Sequence, residues 1–243
     1  MAAQRMFNVI SGNLAERGAA RIGLATGNTM IRVYALLAEK LNEAGLGLSG
    51  LSTFNLDEYV DNEGKNVDPR HHLSYRKYMT EFFSGLLEAR LGFKPENMFF
   101  PDASRSADYD GQLDGAGGLD FQLLGIGFNG HIAFNEPIGE EEISARDFAD
   151  LPSRVICLKE RTLRTNAQLT AGGDMKLVPH RAVTMGMRSI LKAKEIMLLA
   201  CFKEQAVPLA KIRAGGITPE NPASFLLNHP SVQVIYTTDT IRF

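Results

Sequence analysis

Apolar residues fall into two alternating rhythms along this chain. Residues 20–25 (ARIGLA) form a short continuous apolar run, the pattern of a strand buried on both faces. Between residues 30 and 41, Met30, Val33, Leu37 and Leu41 recur every three or four positions, which predicts a helix with one buried stripe. Residues 51–56 (LSTFNL) predict a second strand, and Tyr75, Tyr78, Met79, Phe82, Phe83 and Leu86 mark another amphipathic helix. Residues 120–126 (DFQLLGI), 155–158 (VICL), 182–185 (AVTM), 195–201 (EIMLLAC) and 232–236 (VQVIY) predict further strands. Helical stretches near 188–193, 203–213 and 222–228 separate the later ones. Apolar strands alternating with helices predict an α/β fold: three layers, α/β/α, around a mainly parallel, Rossmann-like sheet. The polar segments 61–72 and 137–147 read as loops, and no repeat or Pro/Gly-rich linker divides the chain. Residues 1–243 are therefore expected to form a single domain.

Composition adds mainly exclusions. With 243 residues, 44% of them hydrophobic, the chain can bury a sizeable core. A formal net charge of -2 without long runs of one sign gives no footprint for nucleic acid or an anionic membrane. No apolar stretch approaches the roughly 20 residues of a membrane span, and the first residues lack the apolar segment of a secretory signal. A cytoplasmic protein is expected. Cys157 and Cys201 both sit in apolar runs and read as buried, reduced thiols in strands.

In parallel sheets ligands gather beyond the carboxyl ends of the strands, so the chemistry is sought at strand-to-helix junctions. At the first, Thr26-Gly27-Asn28-Thr29 leads from a strand into a helix. Glycine permits close backbone approach, and free N–H groups at a helix start favour an anion. The same residues also fit a plain glycine turn in which Thr29 or Asn28 caps the helix. At the second, Asp57 and Glu58 end a strand, and alternation points them to opposite sides. One can face the crevice as a base while the other makes a structural bond; a solvated acid pair is the plainer alternative. The third, Gly127-Phe128-Asn129-Gly130-His131-Ile132-Ala133-Phe134-Asn135-Glu136-Pro137, is the most informative. A histidine there can move protons near neutral pH, and a carboxylate five residues on can set its orientation or charge. No metal-ligand spacing such as HExxH is present.

Together, LATGNT, FNLDEYV, SYRKYM, GIGFNGHIAFNEP and VPHRAVTMGMRSILKAKEIMLLA resemble the glucosamine-6-phosphate deaminase family, in that order and over most of the chain. The related 6-phosphogluconolactonases share the GHxA start but continue without NEP. The resemblance implies an enzyme converting an amino sugar 6-phosphate and water to a ketose 6-phosphate and ammonia, without metal or organic cofactor. It implies that His131 opens the pyranose ring, with Glu136 as the acidic member of its relay and Asn129 orienting it. It assigns Asp57 to the transfer of the C2 proton to C1, and Thr26, Gly27, Asn28 and Thr29 to the phosphate. The implied partner is a small amino sugar phosphate, and the implied assembly a monomer or small homo-oligomer.

Departures from the family pattern bear on the substrate. Asn129 stands where many members have aspartate, and Met30 where they usually have proline. Two basic phosphate ligands align with Gln168 and Gln205. Arg164, four residues before Gln168, and Lys203, two before Gln205, are candidates to replace that charge; otherwise both are surface cations. PASFLLNHP also resembles galactosamine-6-phosphate deaminases of the same superfamily. A non-catalytic sugar-phosphate sensor of this fold is the competing class, and retention of Asp57, His131 and Glu136 together favours catalysis.

Overall fold

A computed structural model describes residues 1–242. Helix α1 (Ala2–Arg17) leads to strand β1 (Ala20–Leu24), and α2 (Asn28–Ala44) returns the chain to β2 (Leu51–Asn55). Strand β3 (Asp57–Val60) follows after Leu56 alone. Then come α3 (Tyr75–Phe82), the short β4 (Met98–Phe99), α4 (Ser106–Ala116) and β5 (Phe121–Gly125). The second half runs α5 (Ala145–Ala149), β6 (Arg154–Cys157), α6 (Glu160–Thr170), β7 (Arg181–Thr184), α7 (Met187–Leu191), β8 (Ile196–Ala200), α8 (Ala206–Arg213) and β9 (Val232–Tyr236).

Six strands form the main sheet in the order β4-β2-β1-β5-β8-β9, and every pairing is parallel. The chain winds from β1 out through β2 to β4, then returns to place β5 on the other side of β1. The switch point therefore lies between β1 and β5. The loops after these two strands must diverge, and a crevice opens between them.

The strands expected at 155–158 and 182–185 form, but outside this sheet. With β3 they make a separate antiparallel sheet, β3-β7-β6, in which Asp57 lies opposite Thr184. Short apolar runs announce a strand without saying which sheet it joins. Leu56 joins the two sheets: its N–H donates to the Leu24 carbonyl (3.2 Å), and its own carbonyl accepts from the Met185 N–H (2.6 Å).

Most of the core lies on the parallel sheet, where Ile22, Leu24, Phe54, Phe121, Leu123 and Leu198 are buried. A smaller cluster of Tyr59, Phe134, Leu163, Ala167 and Ala182 joins the small sheet to α6. Four helices escape the sequence reading: α1, α4, the five-residue α5 at the end of a segment read as a loop, and α6. The apolar stripe of α1 is narrow (Ala3, Met6, Ile10), and α4 carries two glycines and buries little beyond Tyr109 and Leu113. Residues 222–228 wind as a 3-10 helix, and 203–205 make a 3-10 turn ahead of α8.

The expectation of two buried cysteines is corrected, although both are free thiols. Cys157 is exposed, because β6 is an edge strand paired only to β7 and its residues alternate in exposure. Cys201 is half-buried; it lies just past β8, where its Sγ is 3.2 Å from Thr29 Oγ1.

Candidate active site

The switch-point crevice is a cavity of about 380 Å³. Thr26–Thr29 and the 125–134 loop form two of its walls, Asp57 and Tyr59 a third, and one face of α6 a fourth. A second hollow of about 350 Å³ lies by Asp120 and Glu195, at the amino ends of β5 and β8. Four of its charged groups are paired with one another, Arg5 with Glu195 and Lys194 with Asp120.

The turn from β1 into α2 is made on Gly27, whose φ of 115° is open to glycine and strained for other residues. Gly27, rather than Asn28 or Thr29, is the N-cap, and no side chain caps the helix. The expected side-chain cap is thus corrected: the glycine turn starts the helix at Asn28, which puts both residues inside its first turn. Met30 N–H donates to the Gly27 carbonyl (2.9 Å), and with no side-chain cap to occupy them the N–H groups of Asn28 and Thr29 remain available to a ligand at the positive end of the helix. Tyr78 Oη donates to the Gly27 carbonyl (2.8 Å) and holds the turn.

Asp57 and Glu58 open β3 rather than end a strand as expected, and alternation along β3 separates them. Glu58 accepts from the N–H groups of Tyr59, Tyr75 and Arg76 and from Ser74 Oγ, at 2.9 to 3.0 Å. It thereby anchors the first turn of α3. Asp57 faces the cavity and is only 6% exposed. Burial, with the nearby Glu58 charge adding to it, pushes its carboxyl well above the usual range. A desolvated carboxylate in that position is a stronger base than one in water.

The third junction folds back on itself. Gly127 N–H donates to the His131 carbonyl and Gly130 N–H to the Gly127 carbonyl, each at 2.9 Å. A Cβ on Gly127 would stand 2.3 Å from the His131 ring, so only glycine lets the imidazole lie against the backbone. Ala133 adopts a left-handed φ of 52°, the one positive φ outside glycine among the described residues. Asn135 holds that turn: its Nδ2 donates to the carbonyls of Ile132 (3.1 Å) and Met185 (2.9 Å), while its Oδ1 accepts from Arg154 (2.9 Å). Thr184 Oγ1 accepts from Phe134 N–H (3.0 Å). The loop is thus fastened to the small sheet.

This fastening brings Asn129, His131 and Glu136 together. Asn129 Nδ2 donates to Glu136 Oε2 (2.7 Å), and Asn129 Oδ1 accepts from the His131 N–H (3.3 Å). His131 Nδ1 lies 3.6 Å from Glu136 Oε2, too far for a hydrogen bond and near enough for strong electrostatic coupling. Burial opposes the charge on Glu136, but the His131 ring, Thr162 and Asn129 outweigh it and hold the carboxyl at about 2. An ionised Glu136 favours the proton on Nδ1, leaving Nε2 to exchange protons.

Of the residues expected in the site, Thr26, Gly27, Asn28, Thr29, Asp57, Asn129 and His131 line the cavity, and Glu136 stands behind His131. Arg164 and Lys203 do not line it. Arg164 is exposed and paired with Glu160, because its position on α6 faces away from the crevice. Gln205 does line it, but its side chain is committed to the backbone. Oε1 accepts from the N–H groups of Cys201 and Phe202 (each 2.8 Å), and Nε2 donates to the Ile126 carbonyl (2.6 Å). It ties the end of β5 to the end of β8.

The sequence reading missed the α6 wall. Arg161, Thr162, Thr165, Asn166, Leu169 and Thr170 share one face at i, i+1, i+4, i+5, i+8 and i+9. A polar stripe at helical spacing was the available signal. Among the described residues Arg161 is the only Lys or Arg in the lining. Asn166 Nδ2 donates to Tyr59 Oη (2.8 Å), whose hydroxyl burial pushes up to about 12.

A crevice of this kind, at the switch point of a parallel sheet and furnished with a carboxylate and an imidazole–carboxylate pair suited to acid–base chemistry, is that of an α/β enzyme. No protein-family profile matches the chain. Curated relatives do. Glucosamine-6-phosphate deaminase of Rhodopirellula baltica is 39% identical over 240 residues, covering 96% of this chain and 88% of its own. Glucosamine-6-phosphate deaminase 2 of Giardia intestinalis is 40% identical over 215 residues, covering 86% and 75%. A solved monomeric glucosamine-6-phosphate deaminase superposes with a TM-score of 0.83 at 32% identity, over 98% of this chain and 92% of that one. The 6-phosphogluconolactonase of Thermotoga maritima, at 17% identity and a TM-score of 0.69, shares the fold. The chain belongs to the glucosamine-6-phosphate deaminase family.

Proposed function

We propose that this protein converts glucosamine 6-phosphate and water to fructose 6-phosphate and ammonia. The carrying observation is that Asp57 and His131 face one cavity whose far wall is the uncapped start of α2. His131 exchanges the ring-opening proton through Nε2, with Glu136 and Asn129 fixing the imidazole. Asp57 takes the proton from C2 of the open chain and returns it to C1. Water then adds at C2 and ammonia leaves. The phosphate lies against the N–H groups and hydroxyls of Thr26–Thr29. The roles need no metal or organic cofactor. Among the described residues no cluster of three or more His, Cys, Asp or Glu has metal-binding geometry, and no helix is long and apolar enough to cross a membrane. We place the protein in the cytoplasm as a single-domain monomer or small homo-oligomer.

Ammonia release decides the matter. Glucosamine 6-phosphate should be turned over faster than galactosamine 6-phosphate or unphosphorylated glucosamine, and a chelator should leave the rate unchanged. Preference for galactosamine 6-phosphate would reassign the substrate within the family. Binding of sugar phosphates without ammonia release from any of them would make the protein a sensor.

A further inference from the structure

Glu136 is served from three sides. Asn129 Nδ2 donates to Oε2 and Lys159 N–H to Oε1, at 2.7 and 3.3 Å. His131 Nδ1 approaches Oε2 without closing a hydrogen bond. The third side is α6, whose first turn starts beside this carboxylate and has no side-chain cap of its own. Thr162 occupies that turn, 3% exposed, and borders the cavity. Among the described residues its Oγ1 has no hydrogen-bond partner, and neither has His131 Nδ1. Buried polar atoms without partners are uncommon, and two beside one carboxylate indicate groups poised on it.

We propose that Thr162 is a positioning residue for ring opening, its hydroxyl donating to Glu136 and fixing that carboxylate against His131 Nδ1. The inference rests on the deaminase reading for its kinetic consequence, but not for its structural one. In that role the Glu136 carboxylate is the common partner of both unpartnered atoms, the Thr162 hydroxyl and His131 Nδ1, the latter lying 3.6 Å from Oε2. The Thr162 hydroxyl is near enough to Glu136 to favour its ionised form, without closing a hydrogen bond in the ligand-free protein. The proton then stays on Nδ1, and Nε2 faces the cavity as the working nitrogen. Thr162 touches no reacting atom in this role; it acts through Glu136.

Thr162→Val keeps the shape and removes the donor, while Thr162→Ser keeps the donor. In the ligand-free protein, ¹⁵N imidazole spectra should show His131 protonated on Nδ1 in wild type and Thr162→Ser, and mixed tautomers in Thr162→Val. The kcat for ammonia release from glucosamine 6-phosphate should fall about tenfold in Thr162→Val, as loss of a charge-assisted hydrogen bond would give, with KM within about twofold. Thr162→Ser should stay near wild type. A Thr162→Val protein with a wild-type ring spectrum overturns the proposal, as does Thr162→Ser losing as much as Thr162→Val. If wild type releases no ammonia from any amino sugar phosphate, the deaminase reading fails, and the ring spectra alone judge Thr162.

Discussion

Asp57 and Glu58 are adjacent on one strand and sit in opposite environments. Glu58 accepts four hydrogen bonds and anchors α3, whereas Asp57 is buried at the cavity wall with no hydrogen-bond partner among the described residues. The pleat makes this division, since neighbouring side chains on a strand point to opposite faces. The carboxylate that meets a helix start is taken up by structural hydrogen bonds, and the one at the cavity wall is left free to meet a ligand.

Asp57→Asn should therefore lower turnover by about 10²–10⁴-fold, the usual contribution of a general base, with the fold intact. Exchange of the C2 proton with deuterated water should stop. Wild-type exchange in this variant would remove Asp57 from the mechanism.

The same substitution should stabilise the ligand-free protein, in a pH-dependent way. A carboxyl raised on folding keeps its full contribution below its unfolded pKa and loses it as pH rises through the folded value. Thermal unfolding of wild type and Asp57→Asn should thus diverge above about pH 4, the ordinary aspartate range, with the variant higher. Curves that coincide from acid to neutral pH would show that Asp57 is not penalised by burial.

Gly127→Ala tests the placing of the imidazole. The added Cβ would stand 2.3 Å from the His131 ring, so the ring must move. We expect kcat for the cyclic substrate to drop at least tenfold, a cost of about 1.4 kcal/mol in the transition state, while binding of a ring-opened analogue changes little. Equal damage to both would mean that the loop as a whole had shifted.

Charge at the cavity separates three cations. Arg161 lines it, while Arg164 is paired with Glu160 at the surface and Lys203 is exposed outside it. Titrations of KM for glucosamine 6-phosphate should show less than about a twofold change for Arg164→Ala and Lys203→Ala, as for ordinary surface charges. Arg161→Ala should raise KM several-fold. A tenfold rise for Arg164→Ala or Lys203→Ala would show that α6 or the turn before α8 rearranges around the ligand.

Much of this protein is legible without coordinates, where the signal is local. Apolar runs and helical spacing announced β1, α2, β2, β5, β8 and β9, because burial on two faces or on one stripe writes itself into the order of residues. The Gly27 turn, the opposed directions of Asp57 and Glu58 and the spacing of His131 and Glu136 were visible for the same reason: each is set by residues close in sequence. Tertiary structure decided what depends on distant partners. The sheets joined by β3, β6 and β7, the burial of each cysteine and the helix start at Asn28 could not be read from a window of residues. The cavity's fourth wall is the clearest case. Whether Arg161 or Arg164 meets the ligand turns on the rotation of α6 about its axis, and that is set by Leu163 and Ala167 packing with Tyr59 and Phe134 from elsewhere in the chain. A helix carries its own periodicity in sequence; the direction it faces is chosen by the surfaces it packs against.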